Sequence, residues 1–297
     1  MITTGRPHLL APLLALALGA CSGDASDQPE APDPTPLLYT IASPDGAIEG
    51  WLFGTIHALP DGVAWRTPAI DEAMAEADLL VVEIAELADQ ATIAHTFAAL
   101  ATTPGQAEIG ARIAPELRPQ LAALIERSGH DPEDFVATET WAAALMLAQS
   151  EDGGSARNGA DRVLLVEFAA RPIRELEGAA GQLAIFDRLP QRDQRDLLAG
   201  VIEEARLREA DPDRLRRAWL AGDEATISKA TSQGILADPE LRQALLVERN
   251  RAWARQVTPL LEDAAQPLVA VGAAHLVGPD GLAELLRQAG YRVERVR

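Results

Sequence analysis

Five side chains in this 297-residue sequence have the type and setting to carry acid–base or metal chemistry: His57, Glu83, Glu177, Arg249 and His275. His57 closes Trp51-Leu52-Phe53-Gly54-Thr55-Ile56-His57, and His275 closes Leu268-Val269-Ala270-Val271-Gly272-Ala273-Ala274-His275. In both, an apolar β-prone run reaches a glycine and a histidine stands three residues later. Glycine lets the backbone turn sharply and approach a ligand closely. An imidazole just past a strand end is held by rigid scaffold while it faces a cleft, where it can bind a metal or act as a general base near neutrality. The spacing alone says little, because Gly5-Arg6-Pro7-His8 has it too. The strand behind each histidine carries the weight. His95 and His130 have no such strand and read as structural.

Glu83 ends the aliphatic run Leu79-Leu80-Val81-Val82, and Glu177 follows Ile173-Arg174-Glu175-Leu176. A carboxylate beside imidazoles is a hard oxygen ligand for Zn, Mn or Co, or a partner that orients a basic histidine. Arg249 lies in Glu248-Arg249-Asn250-Arg251-Ala252-Trp253, on a helix. It reads either as part of a solvated charged face or as an electrophile that stabilises an oxyanion or pins a carboxylate. No Gly-x-Ser-x-Gly elbow, phosphate-binding loop or dinucleotide glycine fingerprint is present.

The elements that must position these groups are an N-terminal hairpin, buried strands and a helical middle. Residues 37–42 and 49–55 are strand-like and flank Ser43-Pro44-Asp45-Gly46, a strong turn signal. Pro68 opens a helix with Ile70, Ala73, Met74 and Ala77 on one face. Residues 79–83 then form a short buried strand. Helices are expected at about 88–101, 115–128, 139–149, 161–170, 182–188, 192–209, 213–221 and 238–257. A strand is expected at 171–176, with Glu177 and Gly178 opening a loop. Residues 267–271 form a buried strand, 281–289 a helix capped by Gly290, and 291–296 an edge strand. Strands at both ends and helices between them give one α/β domain, with a central mixed sheet, an N-terminal β-hairpin and a large helical insertion.

Composition excludes several functions. With 26 basic against 45 acidic residues the net charge is −19, so no basic patch is available to displace phosphate counterions and nucleic acid is not a partner. Lys229 is the one lysine, which removes most Schiff-base chemistry. The one cysteine, Cys21, excludes internal disulfides and cysteine zinc sites. Cys21 ends Leu18-Gly19-Ala20-Cys21, after an apolar run too short to span a membrane but right for a signal peptide. That stretch resembles a bacterial lipobox, with a plain secretory signal as the alternative. Residues 1–20 are therefore expected to be a lipoprotein signal peptide, 21–36 a disordered tether after lipidated Cys21, and 37–297 the folded domain. Ser22 after the cysteine points to the outer membrane, facing the periplasm, with the lipid anchor as the sole membrane contact.

Taken in order, several motifs resemble the TraB/PrgY/GumN family. They are Trp51 to His57, Leu80-Val81-Val82-Glu83, Gly159-Ala160-Asp161, Leu176-Glu177 with Gln182-Leu183, Arg249-Asn250-Arg251-Ala252-Trp253, Gly272 to Gly278 with Asp280-Gly281-Leu282, and Gly290-Tyr291-Arg292-Val293. The resemblance covers residues 37–297 and extends to Tiki proteins and to erythromycin-esterase-like and haem-binding ChaN-like folds. It implies an α/β domain in which both Gly-x-x-His motifs and the glutamates converge. Tiki proteins are described as divalent-metal-dependent proteases favouring Mn or Co. By motif, His57, Glu83 and His275 are the implied metal ligands, and Glu177 and Arg249 the catalytic groups that complete the cleft. The family usually carries threonine where this chain has Gly178, which removes one hydroxyl from the site.

The leading expectation is a divalent-metal-dependent hydrolase acting on a peptide or small-molecule substrate. A metal-independent His/Glu esterase is the second, and a non-enzymatic lipoprotein binding haem, a peptide or a protein partner is the third. Oligomeric state is not written in the sequence.

Overall fold

The computed structural model describes residues 33–87, 89–149, 154–263 and 265–296. The signal peptide, Cys21 and most of the tether expected from the sequence lie outside them. Within them, chain order runs β1 (Leu38–Ala42), β2 (Ile48–Thr55), α1 (Pro68–Glu76), β3 (Leu79–Val82) and α2 (Gln90–Ala101), then α3 (Arg118–Ser128), α4 (Thr140–Gln149) and α5 (Ala160–Glu167). Next come β4 (Ile173–Glu175), α6 (Gly178–Asp187), α7 (Gln191–Ala210), α8 (Arg214–Leu220) and α9 (Glu224–Ala230). The chain closes with α10 (Pro239–Arg242), α11 (Glu248–Leu261), β5 (Pro267–Gly272), α12 (Leu282–Gln288) and β6 (Arg292–Arg295).

The strands form one mixed six-stranded sheet in the order β4-β3-β5-β2-β1-β6. β1 and β2 are the expected hairpin, with Leu38 opposite Phe53 and a register shift between Ile41 and Ala42. Its turn is fixed by Ser43 N–H donating to the Ala47 carbonyl and by Gly46 at φ +98°. β2, β3, β4 and β5 are mutually parallel, and β1 runs against its neighbours. Parallel strands covered on both faces need continuous apolar runs. Leu52, Phe53, Leu80, Val81, Val269 and Val271 supply them and are buried. β6 ends the sheet as the expected edge strand.

Two apolar clusters build the molecule. One surrounds the sheet; the other joins Trp141, Leu197, Leu198 and Leu124 inside the helical segment. The helical segment is locked to the sheet by Trp219, whose Nε1–H donates to the Gly54 carbonyl at 2.7 Å. Trp65 fills the gap between Trp219 and Phe53, with ring centroids 5.9 and 5.7 Å away.

The structure differs from the sequence reading at four places. Gly178 begins α6 rather than a loop, because the N–H groups of Glu177 and Gly178 both turn onto the Glu83 carbonyl. The helix near 238–257 continues to Leu261 through Pro259, after one π turn over Gln243–Val247. α9 is an additional short helix, capped by Asp223, whose carboxylate accepts from Thr226 N–H. Contacts with the folded body also reach back before residue 37: Thr35 N–H donates to the Leu220 carbonyl, and Arg295 donates to the Thr35 carbonyl. Among the described residues no helix is long and apolar enough to cross a membrane.

Candidate active site

Parallel strands leave a sheet at the same edge, so chemistry from distant sequence positions collects there. Across that edge stand Glu177 after β4, Glu83 after β3, His275 after β5 and His57 after β2. Arg249 reaches the same place from α11.

Arg249 is the hub. Its Nε and Nη2 donate to Glu177 at 2.9 Å each, and Nη2 also donates to Glu83 Oε2 at 2.8 Å. Nη1 donates to the Leu245 carbonyl at 3.1 Å and lies 3.3 Å from His275 Nε2. The π turn ends at Val247, and wide turns of this kind concentrate at functional sites. A guanidinium has five N–H donors, and each of Arg249's is directed at a partner within the cluster. Arg249 is buried (9 % exposed) and lies over the Trp253 ring, while Trp253 Nε1–H donates to Glu177 Oε1 at 3.0 Å. Glu177 and Arg249 thus form a closed, hydrogen-bonded ion pair.

Glu83 is held on both oxygens. Oε1 accepts the Gly272 N–H at 2.8 Å, and Oε2 accepts from Arg249 and from Gln182 Nε2 at 3.2 Å. Burial by itself pushes its pKa up. The attraction of His275 once it is protonated in acid, of Arg249 and of protonated His57, together with the Gly272 N–H, outweighs burial and brings it down to about 2. Glu83 is therefore ionised at neutral pH.

His275 is 8 % exposed, and burial drives its pKa down to about 3, with Arg249 and His57 adding to the effect against the pull of Glu83. It is neutral at pH 7. Asn250 fixes its tautomer: Asn250 Nδ2 donates to the carbonyls of His275 and Asp280, so its Oδ1 accepts from His275 Nδ1–H at 2.6 Å. The lone pair on Nε2 then faces Arg249.

His57 is different, with a side chain 72 % exposed. Its Nδ1 lies 2.7 Å from Asp161 Oδ2, and a carboxylate can only accept there, so Nδ1 carries the proton. Nε2 is presented towards Gly272. A methyl group built on Gly272 would meet Glu83 Oε1 at 3.4 Å, His275 Cδ2 at 3.7 Å and His57 Nε2 at 3.9 Å. The three side chains therefore ring one small space above the end of β5. A cavity of about 210 Å³ opens beside it, with His57, Glu83, Leu87, Asp161, Arg162 and Gln182 in its wall.

The donors suit a divalent ion in type: an oriented imidazole nitrogen and an ionised carboxylate. Their arrangement falls short. His275 Nε2 is turned to Arg249, and among the described residues no three His, Cys, Asp or Glu side chains are set to hold one ion. As arranged, Arg249 supplies the positive charge between the two glutamates.

All five residues singled out in the sequence lie at this edge, but sequence reasoning assigned no role to Asp161, Asn250, Gln182 or Arg162. Asp161 had two visible signals, its place after Gly159 at a helix start and its membership of the Gly159-Ala160-Asp161 motif in the family resemblance. Gly159 passes so close to the loop after β2 that an added Cβ would collide with the His57 carbonyl, and Ala160 N–H donates to the Ile56 carbonyl at 2.9 Å. Gly178 has φ +70°, a conformation that a threonine adopts only with strain, so the residue that departs from the family pattern also has a backbone that suits glycine.

Fold and site together define an α/β protein with a polar cleft at the C-terminal edge of its parallel strands, built on a carboxylate–guanidinium–imidazole cluster. The chain belongs to the TraB/PrgY/gumN family, whose profile matches residues 37–295. It is 28 % identical over 244 residues to the uncharacterized protein YbaP of Escherichia coli (strain K12), covering 80 % of this chain and 87 % of YbaP. The same figures hold for YbaP of Shigella flexneri. No solved structure matches the chain.

Proposed function

We propose that the cleft is a hydrolytic site for a carbonyl bond, most simply a peptide bond, with His57 as the base. The Asp161–His57 pair carries this reading: an acceptor fixes Nδ1–H and so commits Nε2 to proton transfer, at the mouth of a cavity. His57 Nε2 takes a proton from water as the water oxygen bonds to the carbonyl carbon. Glu83, ionised nearby, steadies the resulting imidazolium. The carbonyl electrons move to oxygen, where Arg162 in the cavity wall offers a compensating charge. When the intermediate collapses, the bond to the leaving group breaks and His57 returns the proton to it. Arg249 and Glu177 hold this geometry and make no direct contact with the reacting atoms, a different role from the oxyanion contact expected of Arg249.

The family resemblance supports a second version that uses Mn, Co or Zn. His57 Nε2 and Glu83 Oε1 around the Gly272 space would be its protein donors, with His275 joining if Arg249 released it. When bound, such an ion supplies a Lewis acid and an acidified water. Two donors are fewer than the three protein ligands usual in catalytic zinc sites, so no step above runs through the ion.

One experiment tests both versions: hydrolysis of a peptide and an ester panel by wild type and by His57→Ala, before and after exhaustive chelation. Loss of activity in His57→Ala is expected, by at least about a hundredfold for a general base. Activity that survives chelation selects the first version. Activity that is lost on chelation and restored by Mn or Co selects the second. Hydrolysis unchanged in His57→Ala overturns both.

A further inference from the structure

The two Gly-x-x-His motifs look alike, but their glycines answer to different needs. At Gly54 an added Cβ would lie 3.1 Å from both Cα and Cβ of Ala273 and 3.2 Å from Leu276, so a side chain there would have to displace the turn after β5. Gly272 has no such constraint. Its φ of −49° and ψ of 133° suit any residue. The nearest atoms to an added Cβ, at 3.4, 3.7 and 3.9 Å, stand at ordinary contact distance, and they belong to Glu83, His275 and His57. What a side chain at 272 would take is the room between those three groups.

Thr55 bears on the same room. It is 2 % exposed, and its Oγ1 is buried without a hydrogen-bond partner among the described residues. A buried hydroxyl left unpaired is costly, so it calls for a partner from outside the chain. Thr55 is paired in register with Gly272 across parallel β2 and β5, and residues paired in this way project from the same face of the sheet. Val82, paired with Ala270 two residues before Gly272, belongs to that face as well and lines the cavity with His57 and Glu83. The unpaired hydroxyl therefore stands on the face that carries both the Gly272 room and the cavity beside it.

We propose that the room at Gly272 holds the attacking water and that Thr55 orients it. This rests on the hydrolase reading above and adds to it the position of the nucleophile. Glu83 Oε1 accepts the Gly272 N–H at 2.8 Å, and the second lone pair of that oxygen accepts one proton of the water as a hydrogen bond. The other proton passes to His57 Nε2. Thr55 Oγ1–H donates to one lone pair of the water and leaves the second for the carbonyl carbon. As that C–O bond forms, the carbonyl π electrons move to the carbonyl oxygen, and the electrons of the broken O–H bond stay on the water oxygen. Three polar partners are enough to order one water.

Gly272→Ala, Thr55→Val, Thr55→Ser and, as a control, Gly54→Ala test the proposal on the full chain. Urea unfolding is read beside kcat and KM on the peptide and ester panel. Gly272→Ala is expected to unfold at or above the wild-type midpoint, because its backbone suits alanine, and Gly54→Ala below it. Gly272→Ala is nevertheless expected to lower kcat about a hundredfold, the cost of misplacing a reactant by about 1 Å. Thr55→Val is expected to lower kcat about tenfold, the scale of one hydrogen bond, with KM little changed, and Thr55→Ser to restore it. Wild-type crystals should show an ordered oxygen bonded to Thr55 Oγ1 and Glu83 Oε1, and Gly272→Ala crystals should lack it. Wild-type kcat in Gly272→Ala, equal rates in Thr55→Val and Thr55→Ser, or a divalent ion at this position by anomalous scattering would each overturn the proposal. A wild type that holds this oxygen but cleaves nothing in the panel defeats the hydrolase reading and keeps Thr55 and Gly272 as a water site. One that cleaves without this oxygen keeps the hydrolase and defeats the proposal.

Discussion

Glu83, Glu177 and Arg249 are tied to one another, to the Gln182 and Trp253 side chains and to backbone groups, whereas His57 and Asp161 pair with each other at the cluster's edge, beside the cavity that Glu83 also lines. Removing Arg249 from such a cluster would leave buried carboxylates uncompensated, which is why a buried guanidinium need not touch substrate to be indispensable. The same burial makes the site sensitive to acid. His275 is held neutral with a pKa of about 3 against an ordinary 6.5, so the unfolded chain binds a proton more readily than the folded one. Its contribution is complete above pH 6.5 and is lost as pH falls towards 3. Glu83, lowered from 4.5 to about 2, acts in the same direction over a lower window, with stability present above 4.5 and lost as pH falls to about 2. Urea unfolding is expected to show stability falling from about pH 7 to about pH 4, with His275→Gln flattening the upper half of that slope. A midpoint constant across this range in wild type would contradict the burial of a neutral imidazole.

At the scale of elements, the loop after β2 is shaped by the start of α5. Gly159 lies against the His57 carbonyl, and the next N–H, that of Ala160, is bonded to Ile56. This contact brings the Asp161 carboxylate within hydrogen-bond reach of His57 Nδ1, so the Gly159-Ala160-Asp161 sequence works as one device. Gly159→Ala is expected to cost about 1–3 kcal/mol through overpacking and, by shifting the His57 backbone, to lower activity more than stability alone explains. Unfolding curves and kcat measured on the same preparation check this; stability and activity both within error of wild type would exclude the close approach. The β-strands and the hairpin were legible because continuous apolar runs and a Ser-Pro-Asp-Gly turn are local signals. The start of α6 at Gly178 was not. It depends on two N–H groups finding the Glu83 carbonyl, a partner 94 residues away in the case of Glu177.

At the scale of the whole molecule, the sheet cluster carries the edge where all five candidate residues meet, and the helical cluster packs α4 against α7. We propose, from Leu18-Gly19-Ala20-Cys21 and Ser22, that this body is tethered by lipid on Cys21 to the outer membrane and faces the periplasm. Cys21→Ala is then expected to move the protein from the membrane fraction to the soluble fraction; partitioning identical to wild type would remove the lipid-anchor reading. The sequence by itself pointed to the α/β class with a mixed sheet, the hairpin, the buried strands and His57, Glu83, Glu177, Arg249 and His275 as candidates, because aliphatic runs and strand-end context are properties of neighbouring residues; which strands run parallel came from the fold. Tertiary structure alone decided their partners. A proton on His57 Nδ1 requires Asp161, 104 residues distant, and the tautomer of His275 requires Asn250 on another element. The engagement of Arg249 requires acceptors just after β3, just before α6 and in the π turn ahead of α11 at once. Whether a charged group is reactive or merely satisfied depends on which partners fold brings within hydrogen-bond reach, and spacing along the chain does not record that.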